Sequence, residues 1–279
     1  MNTPSITSLK VYGLRRSGTN YLEQLLDQNV DLPHRSASTP SWVSVVANYA
    51  TRLTGWNAHP PLKDLYARAA FARDLGWKHG IVHPDRIPAV QGRETLFVTI
   101  TKNPYAWILS AHRSPHCPQH PDLCTFLESP WPALGRDNHT KAQYDHPIDL
   151  WNRKNRSYLQ LAESGFPVVR LRYEDVLADP SSIVNQCADR YALPLRGETV
   201  TNVTRSTSKK KTAPGDKDRT FEDYQRYYLQ REWTTELSPE HVRLVNRDLD
   251  RDLMQSYGYD VLSSDDVGRD RSTTSTREN

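Results

Sequence analysis

Residues 12–20 read Tyr-Gly-Leu-Arg-Arg-Ser-Gly-Thr-Asn and lie between the run Leu9-Lys10-Val11 and the helical pattern Tyr21–Leu26. This order predicts a β-strand, a tight loop bounded by Gly13 and Gly18, and an α-helix. In such a unit the backbone N–H groups of the loop and the positive end of the helix face one point, where an anion can bind. The sequence therefore predicts an anion-binding loop.

The two glycines of this loop have the spacing of the phosphate-binding motif GxxxxGK[ST], but Thr19-Asn20 stands where that motif has Lys-Ser/Thr. In the motif, the lysine reaches the β- and γ-phosphates and the hydroxyl binds Mg²⁺. The loop is therefore suited to a phosphate group but lacks two groups that ATP hydrolysis uses.

Composition limits the possible partners. The chain has 279 residues, with 36 Lys+Arg against 33 Asp+Glu, and its net charge of +3 is too small for a general nucleic-acid-binding surface. Its 3 cysteines argue against a secreted disulfide framework. The first residues do not resemble a signal peptide, and no stretch approaches the ~20 apolar residues of a membrane span. We expect a cytoplasmic protein with no membrane span and no nucleic-acid partner.

Three β-branched runs are each followed by a helical pattern: Leu9–Tyr12, Thr95–Thr101 and Pro167–Leu171. This alternation predicts an α/β fold, a parallel sheet flanked by helices, in one domain over residues 1–262. Residues 114–147, rich in Pro, His and Asp, are predicted to be irregular, and residues 263–279 a disordered polar tail.

Taken in order, these segments resemble the sulfotransferase family, whose members transfer a sulfuryl group from 3′-phosphoadenylyl sulfate (PAPS) to a hydroxyl or amine. The family places [KR]-S-G-T-[ST] after its first strand, where this chain has Arg16-Ser17-Gly18-Thr19-Asn20. The resemblance implies a P-loop NTPase-like sulfotransferase architecture in which this loop, with Arg15, holds the 5′-phosphosulfate of the donor. A donor without a γ-phosphate also accounts for the missing lysine.

A second block of the family pairs an arginine with a serine eight residues later, both on the 3′-phosphate of the donor. Lys102 and Ser110 have this spacing, with lysine in place of arginine. A looser match to a late basic loop of the family implies that Lys210 and Lys211 also contact the 3′-phosphate, with Arg205 as a further candidate. A solvated basic loop is the alternative interpretation.

The resemblance also implies a catalytic base. The family has Lys-x-His at a strand end, and Trp77-Lys78-His79-Gly80 places His79 23 residues before Lys102. His79 would accept the proton of the acceptor, while Lys78 and Arg16 would neutralise charge on the leaving oxygen, a scheme that requires no metal. The rival histidines are His83 and His59, and a purely structural His79 stays open.

Several alternatives remain at this stage. A P-loop nucleotide kinase or NTPase shares the strand–loop–helix unit, and a catalytically degenerate nucleotide-binding protein would also fit the substitutions at positions 20 and 102. A zinc site could be drawn through the histidines and cysteines of residues 112–124, although a lid or acceptor loop is the preferred interpretation. The acceptor is expected to enter over residues 34–60 and 114–147. Its class stays open between carbohydrate, lipid and small hydroxyl compound.

Overall fold

The computed structural model describes residues 5–35, 39–203 and 219–267. Its strands and helices follow in chain order: β1 (Ser8–Gly13), α1 (Thr19–Asn29), α2 (Ser41–Thr54), α3 (His59–Ala69), α4 (Phe71–Asp74), α5 (Ala89–Glu94), β2 (Thr95–Thr101), α6 (Pro104–His112), α7 (Leu123–Glu128), β3 (Trp131–Pro132), β4 (Gln143–Tyr144), α8 (Pro147–Glu163), β5 (Val168–Arg172), α9 (Tyr173–Ala178), α10 (Pro180–Tyr191), α11 (Phe221–Leu229), α12 (Pro239–Asp248) and α13 (Arg251–Ser256).

The three predicted strands form one parallel sheet in the order β1-β2-β5. Every residue of β1 and β2 is buried, as expected for a parallel sheet covered by helices. Helix α1 packs against β1, and α8 packs against β1 and β5. The predicted α/β fold is therefore confirmed.

Because the strands are parallel, their carboxyl ends meet at one edge of the sheet. This edge brings Gly13, Lys102 and Tyr173 together, each at or just beyond the end of a different strand. The loop after β1 therefore lies beside residues that are far away in the sequence.

The helix after β2 begins where its sequence predicts. Asn103 caps α6 by accepting a hydrogen bond from the backbone N–H of Tyr105, and Pro104 occupies the first turn. The Asp179 side chain caps α10 in the same way. These local signals fix the position of Ser110, two turns into α6.

Residues 114–147 are more regular than the predicted irregular excursion. They contain α7, the antiparallel pair β3–β4 and a 3₁₀ turn at Gly135–Asp137. Buried aromatic side chains account for this order, since Trp131 packs on both Trp107 and Phe126. Pro and His content alone did not indicate this packing.

Some predictions fall outside the described residues. Lys210, Lys211 and Arg205 lie there, as do residues 268–279 of the predicted tail. The first residues of that tail are described, and they form a 3₁₀ turn at Ser264–Asp266 followed by the buried Val267. Within the described ranges, no helix combines the length and apolar character needed to cross a bilayer.

Candidate functional site

The loop after β1 has two residues in the left-handed region. Arg16 has φ 71° and Gly18 has φ 86°, and α1 begins directly afterwards at Thr19. No side chain caps this helix N-terminus, and no acidic residue lies in its first turn. Its first N–H groups therefore stay free of side-chain acceptors, and the helix dipole favours an anion beside them.

Gly18 is required by a close approach as well as by its φ. A Cβ on this residue would overlap the ring of Tyr173. Since left-handed backbone is also costly for any residue with a Cβ, both effects select glycine here. The loop is thus fixed against the start of α9.

Ser17 supplies an unmatched polar group inside this loop. The residue is fully buried, and its Oγ has no hydrogen-bond partner among the described residues. An unpaired buried hydroxyl is costly unless a ligand or water pairs with it. Together with the uncapped helix end, it fits a bound oxyanion such as a phosphate or phosphosulfate.

Arg16 and Ser110 meet across the edge of the sheet. The Arg16 Nε donates to the Ser110 Oγ at 3.1 Å, although 94 residues separate them in the sequence. Ser110 is buried, so it does not face solvent as a helix-surface serine would. The first and second sequence blocks therefore form one cluster.

The Lys102 ammonium completes the cluster. The residue is 3% exposed, and its Nζ lies 3.9 Å from the ring centroid of Tyr173 and 4.1 Å from that of Tyr228. Two aromatic faces hold a cation without neutralising it. In the described part of the chain, neither Lys102 nor Arg16 is in salt-bridge contact with a carboxylate, and Glu174 acts on Lys102 from a greater distance.

Burial and charge act together on Lys102. Burial holds the pKa of its ammonium well below the ordinary value, Glu174 offsets part of this effect, and the positive charges of Arg16 and Arg113 add to it. A dianionic ligand between these groups would reverse the repulsion and favour the charged ammonium. The cluster is therefore electrostatically complementary to a phosphate.

Sequence reasoning missed three members of this site. Tyr173 and Tyr228 form the cage around Lys102. Arg113 donates to the hydroxyl of Tyr227 at 2.8 Å. Its position one turn after Ser110 is the one signal that could have indicated it.

His79 comes from the segment between α4 and α5 and lies beside the last residue of β1, Gly13. Its Nδ1 lies 2.7 Å from the Gly13 carbonyl oxygen, which can only accept, so Nδ1 carries the proton and Nε2 has a free lone pair. Burial, with the Lys78 ammonium nearby, holds the pKa of the imidazole well below its ordinary value. His79 is therefore neutral near pH 7 and its unprotonated Nε2 can accept a proton, although the lowered pKa makes it a weaker base than an ordinary imidazole.

The rival histidines bond elsewhere. His83 Nε2 lies 3.1 Å from the Asn138 carbonyl oxygen, and His59 Nε2 lies 2.8 Å from Asn48 Oδ1. Neither contact is to the loop after β1.

Lys78 is held by α1. Its Nζ donates to Asn20 Oδ1 at 2.7 Å and forms an ion pair with Glu23 at 2.5 Å. The charge of Lys78 is thus partly compensated before any ligand binds. Asn20, which stands where the nucleotide-binding motif has a metal-binding hydroxyl, accepts this ammonium instead.

Arg15 and Arg16 point in different directions. The Arg15 Nη1 donates to the His116 carbonyl at 2.9 Å, and its guanidinium lies 4.9 Å from the Trp77 ring centroid. The left-handed backbone of Arg16 separates the two side chains. Arg15 therefore lies toward residues 114–147, away from the contact between Arg16 and Ser110.

A cleft of about 170 Å³ opens on the Arg15 side of the loop. Its walls are mostly apolar and include Leu14, Trp107, Pro118, Trp131, Leu134 and Leu150. Lys154 and Asp137 also line it and pair with each other at 2.6 Å, while Lys154 donates to the backbone carbonyl of His79. A mostly apolar lining with a few polar groups is typical of a pocket for a small organic ligand.

Residues 114–147 contribute to this cleft, whereas none of its described walls comes from residues 34–60. The two segments predicted to contact the acceptor thus lie apart. Residues 114–147 line part of the cleft, whereas residues 34–60 include α2 on the surface.

The histidines and cysteines of residues 112–124 do not converge. His112 bonds to the His120 carbonyl, and both rings pack on Phe126. In the described ranges, no three His, Cys, Asp or Glu side chains are grouped as metal ligands would be. The zinc alternative gains no support from this arrangement.

Comparison with known proteins finds a likeness among solved structures. No protein-family model and no curated protein sequence matches the chain. Among solved structures, it is similar to a sulfotransferase domain from the curacin biosynthetic pathway, with 13% identity, a TM-score of 0.47, and coverage of 94% of this chain and 100% of that domain.

Proposed function

We propose that this protein is a PAPS-dependent sulfotransferase that moves a sulfuryl group to a hydroxyl or amine of an acceptor. The observation that carries the proposal is the meeting of Arg16, Lys102 and Ser110 beside the N-terminus of α1. A donor with phosphates at both its 5′ and 3′ positions needs two such anion sites close together. The uncapped loop and the cluster supply them.

The donor is assigned to the carboxyl edge of the sheet. Ser17, Thr19 and the first N–H groups of α1 would hold the 5′-phosphosulfate, since a buried hydroxyl without a partner is present there. Lys102, Ser110 and Arg16 would hold the 3′-phosphate. Lys210 and Lys211 are further predicted ligands of the 3′-phosphate.

The acceptor is assigned to the cleft beside Arg15. Its apolar walls would take the body of the acceptor, and the nearby Lys154–Asp137 pair would position the polar group. In the transfer step, the acceptor oxygen or nitrogen forms a bond to sulfur while the bond from sulfur to the 5′-phosphate oxygen breaks. The electron pair of that bond leaves with adenosine 3′,5′-bisphosphate.

His79 is proposed as the base of this step. Its Nε2 takes the proton of the acceptor, and the Gly13 carbonyl stabilises the resulting imidazolium through Nδ1–H. Lys78 is proposed to neutralise the charge that develops on the leaving oxygen, whereas the contact between Arg16 and Ser110 favours the 3′-phosphate as the partner of Arg16.

A nucleotide kinase or NTPase fits the same loop less well. Such an enzyme needs a hydroxyl at position 20 to bind Mg²⁺, and here the Asn20 side-chain oxygen accepts the ammonium of Lys78. The second strand, β2, is also followed directly by Lys102 instead of a carboxylate. These features favour a donor whose phosphates are bound by lysine and arginine side chains over one that is bound through Mg²⁺.

Transfer of ³⁵S from labelled PAPS to a panel of sugar, phenol and lipid hydroxyl acceptors tests the proposal. Arg16→Ala should reduce transfer at least ~100-fold, since it removes a charged contact to the donor. Arg93→Ala, which removes an exposed arginine on α5, is the matched control and should leave transfer unchanged. Transfer to no acceptor, or full transfer by Arg16→Ala, would contradict the proposal.

A further inference from the structure

Helix α2 carries its large apolar side chains on the outside. Trp42, Val45, Val46, Tyr49 and Leu53 are between 47% and 69% exposed. By contrast, the helix buries only Val43 and Ala47. Its largest apolar groups therefore face away from the protein.

The five exposed side chains form a continuous stripe. At 3.6 residues per turn, they fall within an arc of about 100°, the width of the apolar face that normally packs on a core. Trp56 follows the helix after the left-handed Gly55 and is 62% exposed, and Leu65 on α3 is 63% exposed. We name these seven side chains the α2 stripe.

The α2 stripe is larger than a soluble monomer normally exposes. Its side chains present on the order of 800 Å² of surface, whereas the largest apolar patch of a typical monomer is ~300–600 Å². Trp42 has an edge-to-face contact with Tyr66 of α3, which ties this end of the stripe to the neighbouring helix. Such a surface indicates an interaction site.

The charges around the stripe indicate an anionic partner. Residues 39–63 contain Arg52 and Lys63 but no Asp or Glu. The next acidic residue, Asp64, forms an ion pair with Arg136, whose Nη1 lies 2.7 Å from Asp64 Oδ1. Arg52 lies at the edge of the stripe and is exposed. A second copy of this surface would bring like charges together, since the α2–α3 hairpin offers no free carboxylate to pair with them.

Side-chain type and helix length match a lipid surface. Trp and Tyr, three of the seven members of the stripe, favour the boundary between water and hydrocarbon. The helix has 14 residues, too short for the ~20 needed to cross a bilayer. Helices with one apolar face and flanking cations lie in the headgroup region instead.

We propose that the α2 stripe docks this protein onto anionic lipid membranes. The α2–α3 hairpin, which carries the stripe, is anchored to the rest of the domain through Asp64. Asp64 accepts hydrogen bonds from the backbone N–H groups of Gly135 and Arg136 and from the Arg136 side chain. The Arg136 guanidinium in turn lies 4.7 Å from the Trp77 ring centroid, next to Arg15 and the cleft.

Co-sedimentation of the full chain with vesicles tests this surface. The vesicles contain phosphatidylcholine alone or with 30 mol% phosphatidylglycerol. We expect binding to the anionic vesicles, weaker binding to the neutral ones, and release as salt screens the attraction of Arg52 and Lys63. Val45→Glu and Leu53→Glu should each weaken binding about tenfold or more.

The control is Val90→Glu, which introduces the same charge at an equally exposed valine (68%) on α5. It should bind like the unmodified chain. Since all three positions are exposed, circular dichroism should find the folds intact. The proposal is wrong if the unmodified chain stays in the supernatant with anionic vesicles, or if Val90→Glu weakens binding as much as Val45→Glu. A dimer in light scattering that Val45→Glu dissociates would assign the stripe to a second copy and would also overturn it.

Discussion

Replacing Lys102 by Met should separate donor binding from stability. In the structure, the ammonium is buried between two tyrosine rings and is repelled by Arg16 and Arg113. Met has a similar length and makes favourable contacts with aromatic rings. The substitution should therefore leave the free energy of unfolding of the ligand-free protein unchanged or raise it by about 1 kcal/mol.

The same substitution should weaken the binding of adenosine 3′,5′-bisphosphate. A hydrogen bond between charged groups contributes ~1.5–3 kcal/mol, so its loss should raise the Kd by about 10- to 150-fold. At a ligand concentration of 100 times the original Kd, stabilisation should fall from ~2.7 kcal/mol to below ~1.5 kcal/mol. In a domain of this size, the ligand-induced rise in Tm should fall from about 5–10 °C to a few degrees.

Differential scanning fluorimetry of both proteins measures this change. Adenosine 5′-monophosphate, which lacks the 3′-phosphate, is the control ligand and should stabilise both proteins equally. An unchanged Tm shift with the bisphosphate would refute the assignment of Lys102 to the 3′-phosphate. A ligand-free variant that is several kcal/mol less stable would show that Lys102 is structural.

Three further predictions concern the loop, the base and the core. Gly18→Ala should lower the free energy of unfolding by ~1–3 kcal/mol in urea titrations, because left-handed backbone is strained with a Cβ and the new atom displaces Tyr173; equal stability would contradict this. His79→Gln should lower kcat about 10²- to 10⁴-fold while the Kd of the bisphosphate stays within about twofold. Because the pKa of His79 is lowered, the acidic limb of the kcat profile should lie below pH ~6.5, and an acidic limb above that value would exclude His79 as the base. Lys10 is buried with a pKa of about 7, so between about pH 7 and 10 the unfolded chain binds a proton that the folded chain does not. Stability should therefore rise with pH, by up to ~1.4 kcal/mol per unit, relative to Lys10→Met; parallel pH dependences in urea unfolding would refute this.

Local features of the structure were predictable from the sequence. The strand, the loop and the start of α1 follow from Gly13, Gly18 and the apolar pattern around them. Asn103-Pro104 similarly fixes the start of α6 through backbone hydrogen bonding within a few residues. Such signals act over short distances and can be read from a single sequence.

Features that depend on long-range packing were not predictable in the same way. The sequence predicts Lys102 at an anion site, but Tyr173 and Tyr228 around it come from elements 71 and 126 residues further along the chain. The divergence of Arg15 from Arg16 depends on one left-handed backbone angle in a non-glycine residue. Sequence pattern indicates which residue types form a site, whereas the direction of each side chain depends on the packed fold.

The apolar face of α2 illustrates the same limit. Its periodicity is that of a helix with one apolar stripe, which pattern alone would assign to the core. In the folded chain, the smaller residues Val43 and Ala47 pack inward and the stripe faces outward. Only the structure distinguishes a face that packs on the core from one that is left for a partner.

The most direct test of the central claim is isothermal titration of the full chain with adenosine 3′,5′-bisphosphate and with ATP·Mg²⁺. If the 5′- and 3′-phosphates each bind at a separate site, the Kd of the bisphosphate should be at least ~10-fold lower than that of ATP·Mg²⁺, since each charged contact contributes ~1.5–3 kcal/mol. Arg16→Ala should abolish most of this difference. Tighter binding of ATP·Mg²⁺, unaffected by Arg16→Ala, would contradict the account and favour a nucleotide kinase or NTPase.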